Sequence, residues 1–172
     1  MEPTAIIQKD HLFLAGLDFF GDPFSASAEW TEDNEIGRLW SRFMAYMTVH
    51  GKALSCVINS GTGYEVHIHH PETASTGFFE IFVGVEIATV VEVPVELVIK
   101  VLPAAQYAVF TLIGQEIVQD WSKEIEGWIA DHGYVSAYRY GFQLYDHRFK
   151  GMDRLDESAI DAYVPITPGS DT

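Results

Sequence analysis

Four short segments of the chain place carboxylate, amide, imidazole and aromatic side chains at every second position. Glu65 and His67 alternate in residues 63–70, Glu80 and Phe82 in 78–87, Gln143 and Tyr145 in 140–146, and Asp161 and Tyr163 in 160–166. If these faces converge, the set is acidic and aromatic. Carboxylates attract an organic cation, and each aromatic face adds cation–π attraction of roughly 0.5–2 kcal/mol. That chemistry is small-molecule recognition in a concave site between two halves. The competing reading is a solvated polar strand face.

Other chemistries have weaker signatures. His67, His69 and His70 lie close together, but strand neighbours on one face are about 7 Å apart, and a zinc site needs further ligands from elsewhere. No metal and no cofactor is expected. Cys56 is the single cysteine, so no intrachain disulfide forms. Its setting, Ala53-Leu54-Ser55-Cys56-Val57-Ile58, is apolar and offers no paired base, which reads as a structural thiol. There is no G-x-S-x-G elbow, P-loop or dinucleotide fingerprint.

The elements that must carry these residues follow from periodicity. Leu12 to Phe20 reads as a strand ended by Gly21-Asp22-Pro23, with a loop through Trp30. Ile36, Leu39, Trp40, Phe43, Met44 and Met47 form a helical stripe, with Asp33 or Asn34 as N-cap and Gly51 as stop. Strands at 63–70 and 78–87 follow. The order then returns: a strand from Tyr107 to Ile113, a stripe of Ile117, Trp121, Ile125, Trp128 and Ile129, and strands at 140–146 and 160–166. The three tryptophans Trp40, Trp121 and Trp128 are expected in the core. Glu35-Ile36 and Trp40-Ser41 recur at one common offset as Glu116-Ile117 and Trp121-Ser122. Gly63-Tyr64-Glu65-Val66-His67 resembles Gly141-Phe142-Gln143-Leu144-Tyr145 at a slightly shorter offset, the difference being absorbed by loops. The expected fold is α+β, a duplicated β-α-β-β unit with pseudo-two-fold symmetry and a central cleft. It is a single domain over 10–166, with repeats at about 10–90 and 97–166 and a flexible tail at 167–172. The helices are expected to cover Tyr64, Val66, Ile68, Ile81 and Val83 in the first half and Phe142, Leu144, Ala162 and Val164 in the second. The eight polar and aromatic residues would then share the opposite face.

Composition bounds the partners. The 172 residues carry 10 Lys plus Arg against 25 Asp plus Glu, a formal charge of −15, and such a field repels phosphate backbones. About ten residues precede the first strand, too few for a helix-turn-helix, so direct DNA binding is not expected. The apolar stretch at 85–102 is interrupted by Glu86, Glu92, Glu96, Lys100 and Pro94 and makes a poor membrane span. The start lacks a secretory signal, and a cytoplasmic location is expected. A basic protein partner is the minority reading of the acidic surface.

Val101-Leu102-Pro103-Ala104-Ala105-Gln106-Tyr107-Ala108-Val109-Phe110, then Gly114, Trp121, Trp128 and Phe142-Gln143-Leu144-Tyr145, resemble the gyrase-inhibitor-like (GyrI-like) family, also described as the AraC-type effector-binding domain. Phe79 to Glu86 and Ile160 to Ile166 resemble its other recurring segments. The resemblance implies an SH2-like duplicated fold and a stand-alone binder of amphipathic, often cationic compounds, acting as sensor or sequestering protein. It also implies, as alternatives, a hydrolase of cyclopropane-bearing natural products or a protein-interaction regulator in transcription. The family commonly carries a pocket glutamate at the position of Gln143. Here an amide stands in its place, so Glu65, the pseudo-symmetry mate, is the candidate for the missing charge and for any catalytic acid or base.

Overall fold

A computed structural model describes residues 1–25 and 33–169; the part of the expected loop that reaches Trp30 lies outside them. The first unit comprises β2 (Leu12–Gly21), α1 (Glu35–His50), β3 (Gly63–Ile68), the single turn α2 (Thr73–Thr76) and β4 (Phe79–Glu86). The second comprises β6 (Ala105–Ile113), α3 (Ser122–Asp131), β7 (Tyr134–Ser136), β8 (Tyr140–Tyr145) and β9 (Ala159–Pro168). Two strands complete the sheet, β1 (Ala5–Lys9) and β5 (Val98–Leu102). The fold is the duplicated β-α-β-β arrangement, and the two halves join through β3 and β8 in the order β1-β6-β9-β8-β3-β4-β2-β5, with β7 on β9. All the pairings are antiparallel.

Local chemistry explains the helices. Asn34 Oδ1 accepts the Gly37 amide at 2.9 Å and starts α1, while Ile36, Leu39 and Phe43 bury its inner stripe against Ile81, Val83 and Val85. In the second unit the stripe from Ile117 to Ile129 is not one helix. Residues 114–118 form a 3₁₀ turn, and α3 begins only at Ser122, whose amide is held by Asp120 Oδ1 at 3.2 Å. Ile125, Trp128 and Ile129 still pack on Phe110 and Ala162.

Both helices lie on the same face of the sheet. The opposite face has a core of its own, in which Leu12 and Leu14 of β2 meet Tyr107 and Val109 of β6 around Tyr64, Val66, Phe82 and Phe142. β2 and β6 are separated in sheet order by β9, β8, β3 and β4, so the sheet curls round this core. Close strand approach demands glycine where Gly16 faces Gly84: a Cβ at Gly16 would lie 1.9 Å from the Val83 carbonyl oxygen.

The ladder corrects the face assignment. Directly paired residues of an antiparallel sheet project to the same side. Glu65 stands opposite Val83 and Gln143, and His67 opposite Ile81. These residues therefore face the helices, together with Ile81, Val83, Ala162 and Val164. Tyr64, Val66, Ile68, Phe142 and Leu144 turn to the far core instead. β9 runs through Pro168, with Thr167 and Pro168 paired to β7, inside the segment expected as a tail; residues 170–172 lie outside those described.

Candidate functional site

The floor of the site is the β3–β8 junction, where the two repeats meet. Glu65 and Gln143 are paired there and are 1% and 4% exposed. A carboxylate this deep requires hydrogen-bond donors. Trp40 Nε1 donates to Glu65 Oε2 at 2.6 Å, and His67 Nε2 lies 2.8 Å from Glu65 Oε1. Tyr145 donates its hydroxyl to Gln143 Oε1 at 2.7 Å and stands 3.5 Å from Glu65 Oε2. Burial, reinforced by the adjacent Glu65 charge, pushes the Tyr145 phenol well above its ordinary pKa, so it remains a donor. Gly63 lets the Trp40 ring lie on the strand, since a Cβ there would sit 2.7 Å from the indole.

Among the described residues, two cavities open from this floor. One, of about 570 Å³, lies between α1 and the β8–β9 connection. Glu65 and Tyr145 form its base, and Trp40, Met44, Met47, Phe149 and Met152 its walls. Three of the chain's four methionines thus surround one carboxylate. Thioether side chains adapt to ligands of different shape, and Trp40 and Tyr145, with ring centroids 5.3 Å apart, supply aromatic faces. The other cavity, about 710 Å³, lies between α3 and the β3–β4 connection, with His67, Gln143 and Trp121 among its lining residues.

The eight residues expected in one cleft are divided by the sheet. Glu65, His67, Gln143 and Tyr145 converge between the helices. Glu80, Phe82, Asp161 and Tyr163 project to the far face, because Glu80 pairs with Ile68, Phe82 with Val66, Asp161 with Leu144 and Tyr163 with Phe142. There Phe82 is fully buried, and Glu80 pairs with Lys100. Asp161 binds the Arg148 guanidinium and accepts from Thr111. Tyr163 stacks on Phe142 at 4.5 Å and also reaches the lining of the α3 cavity where β8 and β9 part. Trp40, expected in the core, is a wall of the site. Its recurrence as Trp121 in the repeat was the available signal. The methionine walls had no comparable sequence signal beyond the helical stripe that carries Met44 and Met47.

His69 stacks on Phe79 at 5.3 Å, and His70 lies 3.7 Å from Glu80. Desolvation, with the neighbouring His67, lowers the His69 pKa. Among the described residues no three His, Cys, Asp or Glu side chains are grouped to hold a metal ion, and no helix is long and apolar enough to cross a membrane.

Comparison with known proteins gives this geometry a family. The profile for Cass2, integron-associated effector binding protein, matches residues 5–166. The chain belongs to that family. The GyrI-like, effector-binding resemblance read from the sequence is thereby borne out. Transcriptional regulator BrlR of Pseudomonas aeruginosa is 27% identical over 165 residues, covering 94% of this chain and 54% of BrlR. The chain thus spans about half the length of that curated relative. Among solved structures, SAV2435 bound to tetraphenylphosphonium superposes with a TM-score of 0.69 at 15% identity, covering 97% of this chain and 94% of SAV2435. The integron cassette protein VCH_CASS2 from the mobile metagenome of Vibrio cholerae gives 0.59 at 16% identity, covering 95% of each chain. At these identities the structures share the fold.

Proposed function

We propose that this effector-binding chain takes up amphipathic organic cations in the α1 cavity, with Glu65 as counter-ion, and acts as a sensor or sequestering protein. The observation that carries the reading is a carboxylate at 1% exposure opening on a cavity walled by Trp40, Tyr145 and three methionines. In this chain the acidic residue of the pseudo-symmetric pair belongs to the first repeat. Glu65 therefore takes the role that Gln143, as an amide, cannot fill. The volume lies within the roughly 300–1,000 Å³ of ligand pockets. Tetraphenylphosphonium, held by the structural relative SAV2435, has the matching chemistry of four aromatic rings around one positive charge.

At about 5 Å and an effective dielectric of about 20, one charge pair contributes roughly 3 kcal/mol. Glu65→Gln keeps the shape and, through its amide oxygen, an acceptor for Trp40, while it removes the charge and turns the other oxygen into a donor NH₂ facing His67. Tetraphenylphosphonium titration followed by tryptophan fluorescence is expected to show at least about tenfold weaker binding in this variant, allowing for desolvation losses. Equal affinity in the two proteins would overturn the reading.

A further inference from the structure

The two cavities are built from the same parts. Trp40, Ser41 and Met44 line the first, and their counterparts in the repeat, Trp121, Ser122 and Ile125, line the second. Gly63 and Glu65 line the first, and their equivalents Gly141 and Gln143 line the second. Tyr145 and His67 exchange places in the same way. The duplication has thus made two chambers over one floor, and the Glu65/Gln143 difference gives them opposite hydrogen-bonding polarity.

Gln143 Oε1 is occupied by the Tyr145 hydroxyl at 2.7 Å. Its Nε2 makes no hydrogen bond to any described residue, yet among the described residues no buried side-chain nitrogen or oxygen lacks a partner. The amide NH₂ therefore opens on the α3 cavity, where it presents donors to whatever enters. Glu65, which presents acceptors, lines only the other chamber. At the α3 chamber the charged side chains, Arg139 against Asp120 and Glu126, are all exposed, and among the described residues no buried carboxylate stands on its floor as Glu65 does in the other chamber. Its walls include Phe79, Trp121 and Tyr138, flat faces suited to a planar ring system.

From this arrangement we infer that the α3 cavity is a second ligand site, filled independently of the first, for an uncharged planar aromatic molecule bearing a hydrogen-bond acceptor. Acridone, fluorescent and neutral with a single carbonyl acceptor, is the probe. Its titration into the full chain is expected to reach one equivalent and to remain unchanged when tetraphenylphosphonium is present at saturation. Ser122 is exposed at the chamber mouth, so Ser122→Trp obstructs it without touching the core and is expected to weaken acridone at least tenfold. Ser41→Trp, the matching change at the other mouth, is expected to alter it less than twofold. Gln143→Glu exchanges donors for acceptors and is expected to weaken acridone about tenfold or more, with unchanged circular dichroism as the check on folding.

Failure of acridone to bind, its stoichiometric displacement by tetraphenylphosphonium, or greater sensitivity to Ser41→Trp than to Ser122→Trp would each overturn the inference. If acridone binds and responds to Ser122→Trp while tetraphenylphosphonium does not bind at all, the second site stands and the cation reading of Glu65 falls.

Discussion

Replacing Trp40 by Phe separates the two roles of that side chain, since the ring against Tyr145 is kept and the donor to Glu65 is lost. The bond removed is 2.6 Å long and ends on a carboxylate that is 1% exposed. Hydrogen bonds to charged groups contribute about 1.5–3 kcal/mol, and the smaller ring gives up roughly another 1 kcal/mol of burial. The expected destabilisation is about 2.5–4 kcal/mol. For a chain of this length each kcal/mol lowers the melting temperature by roughly 2–4 °C, so a fall of about 5–16 °C is anticipated. Urea unfolding followed by far-ultraviolet circular dichroism measures the loss without relying on tryptophan emission. Combining Trp40→Phe with Glu65→Gln closes a double-mutant cycle. Because a charge-assisted bond is about twice as strong as a neutral one, the coupling should be about 1 kcal/mol. A single-variant loss below about 0.5 kcal/mol, the low end for any hydrogen bond, or zero coupling, would show that Trp40 does not hold the carboxylate and would remove the anchor of the site.

Tyr64, Tyr140 and Tyr145 all have phenols raised by burial above the ordinary value. Protonation thus favours the folded state: its full contribution is present below about pH 10 and is lost as pH rises through the higher folded-state values. Tyrosinate absorbance should show these residues ionising only as the chain unfolds; Tyr145→Phe reducing the amplitude of the native titration near pH 10 would contradict this. Gly16→Ala places a Cβ 1.9 Å from backbone oxygen and should cost more than about 3 kcal/mol. Gly127→Ala, on an α3 surface with nothing within 4 Å, should stabilise by up to about 1 kcal/mol; urea midpoints test both. Strained cyclopropane electrophiles should show no turnover beyond one equivalent by chromatography, because each Glu65 oxygen already has a donor-bearing partner in Trp40 or His67. Turnover abolished by Glu65→Gln would identify an enzyme.

The sequence revealed the elements more readily than their orientation. The α1 stripe, its Asn34 cap and the alternation in β3, β4, β8 and β9 are local features, and all occur in the structure. Alternation separates Glu65 from Val66 but does not say which of them faces a helix. That depends on the pairing of Glu65 with Val83 and of Val66 with Phe82, a contact between distant residues. The apolar set Tyr64, Val66 and Phe142 was expected beneath the helices because the second core, closed by the curl of β2 towards β6, has no local signature. β5 was hidden for a related reason: five residues flanked by prolines become a strand through pairing with β2. At the site, the repeat identified Glu65 and Gln143 as equivalents and led to their place at the junction. It did not disclose that each opens on a separate chamber, which follows from the loops after β3 and β8.

A crystal structure of the chain with tetraphenylphosphonium tests the central claim directly. The account predicts the phosphonium in the α1 cavity, its phenyl rings against Trp40, Tyr145 and the methionines, and its phosphorus nearer to Glu65 than to any other carboxylate. Density for the cation against Trp121 and Gln143, or on the far face beside Glu80 and Asp161, would contradict it.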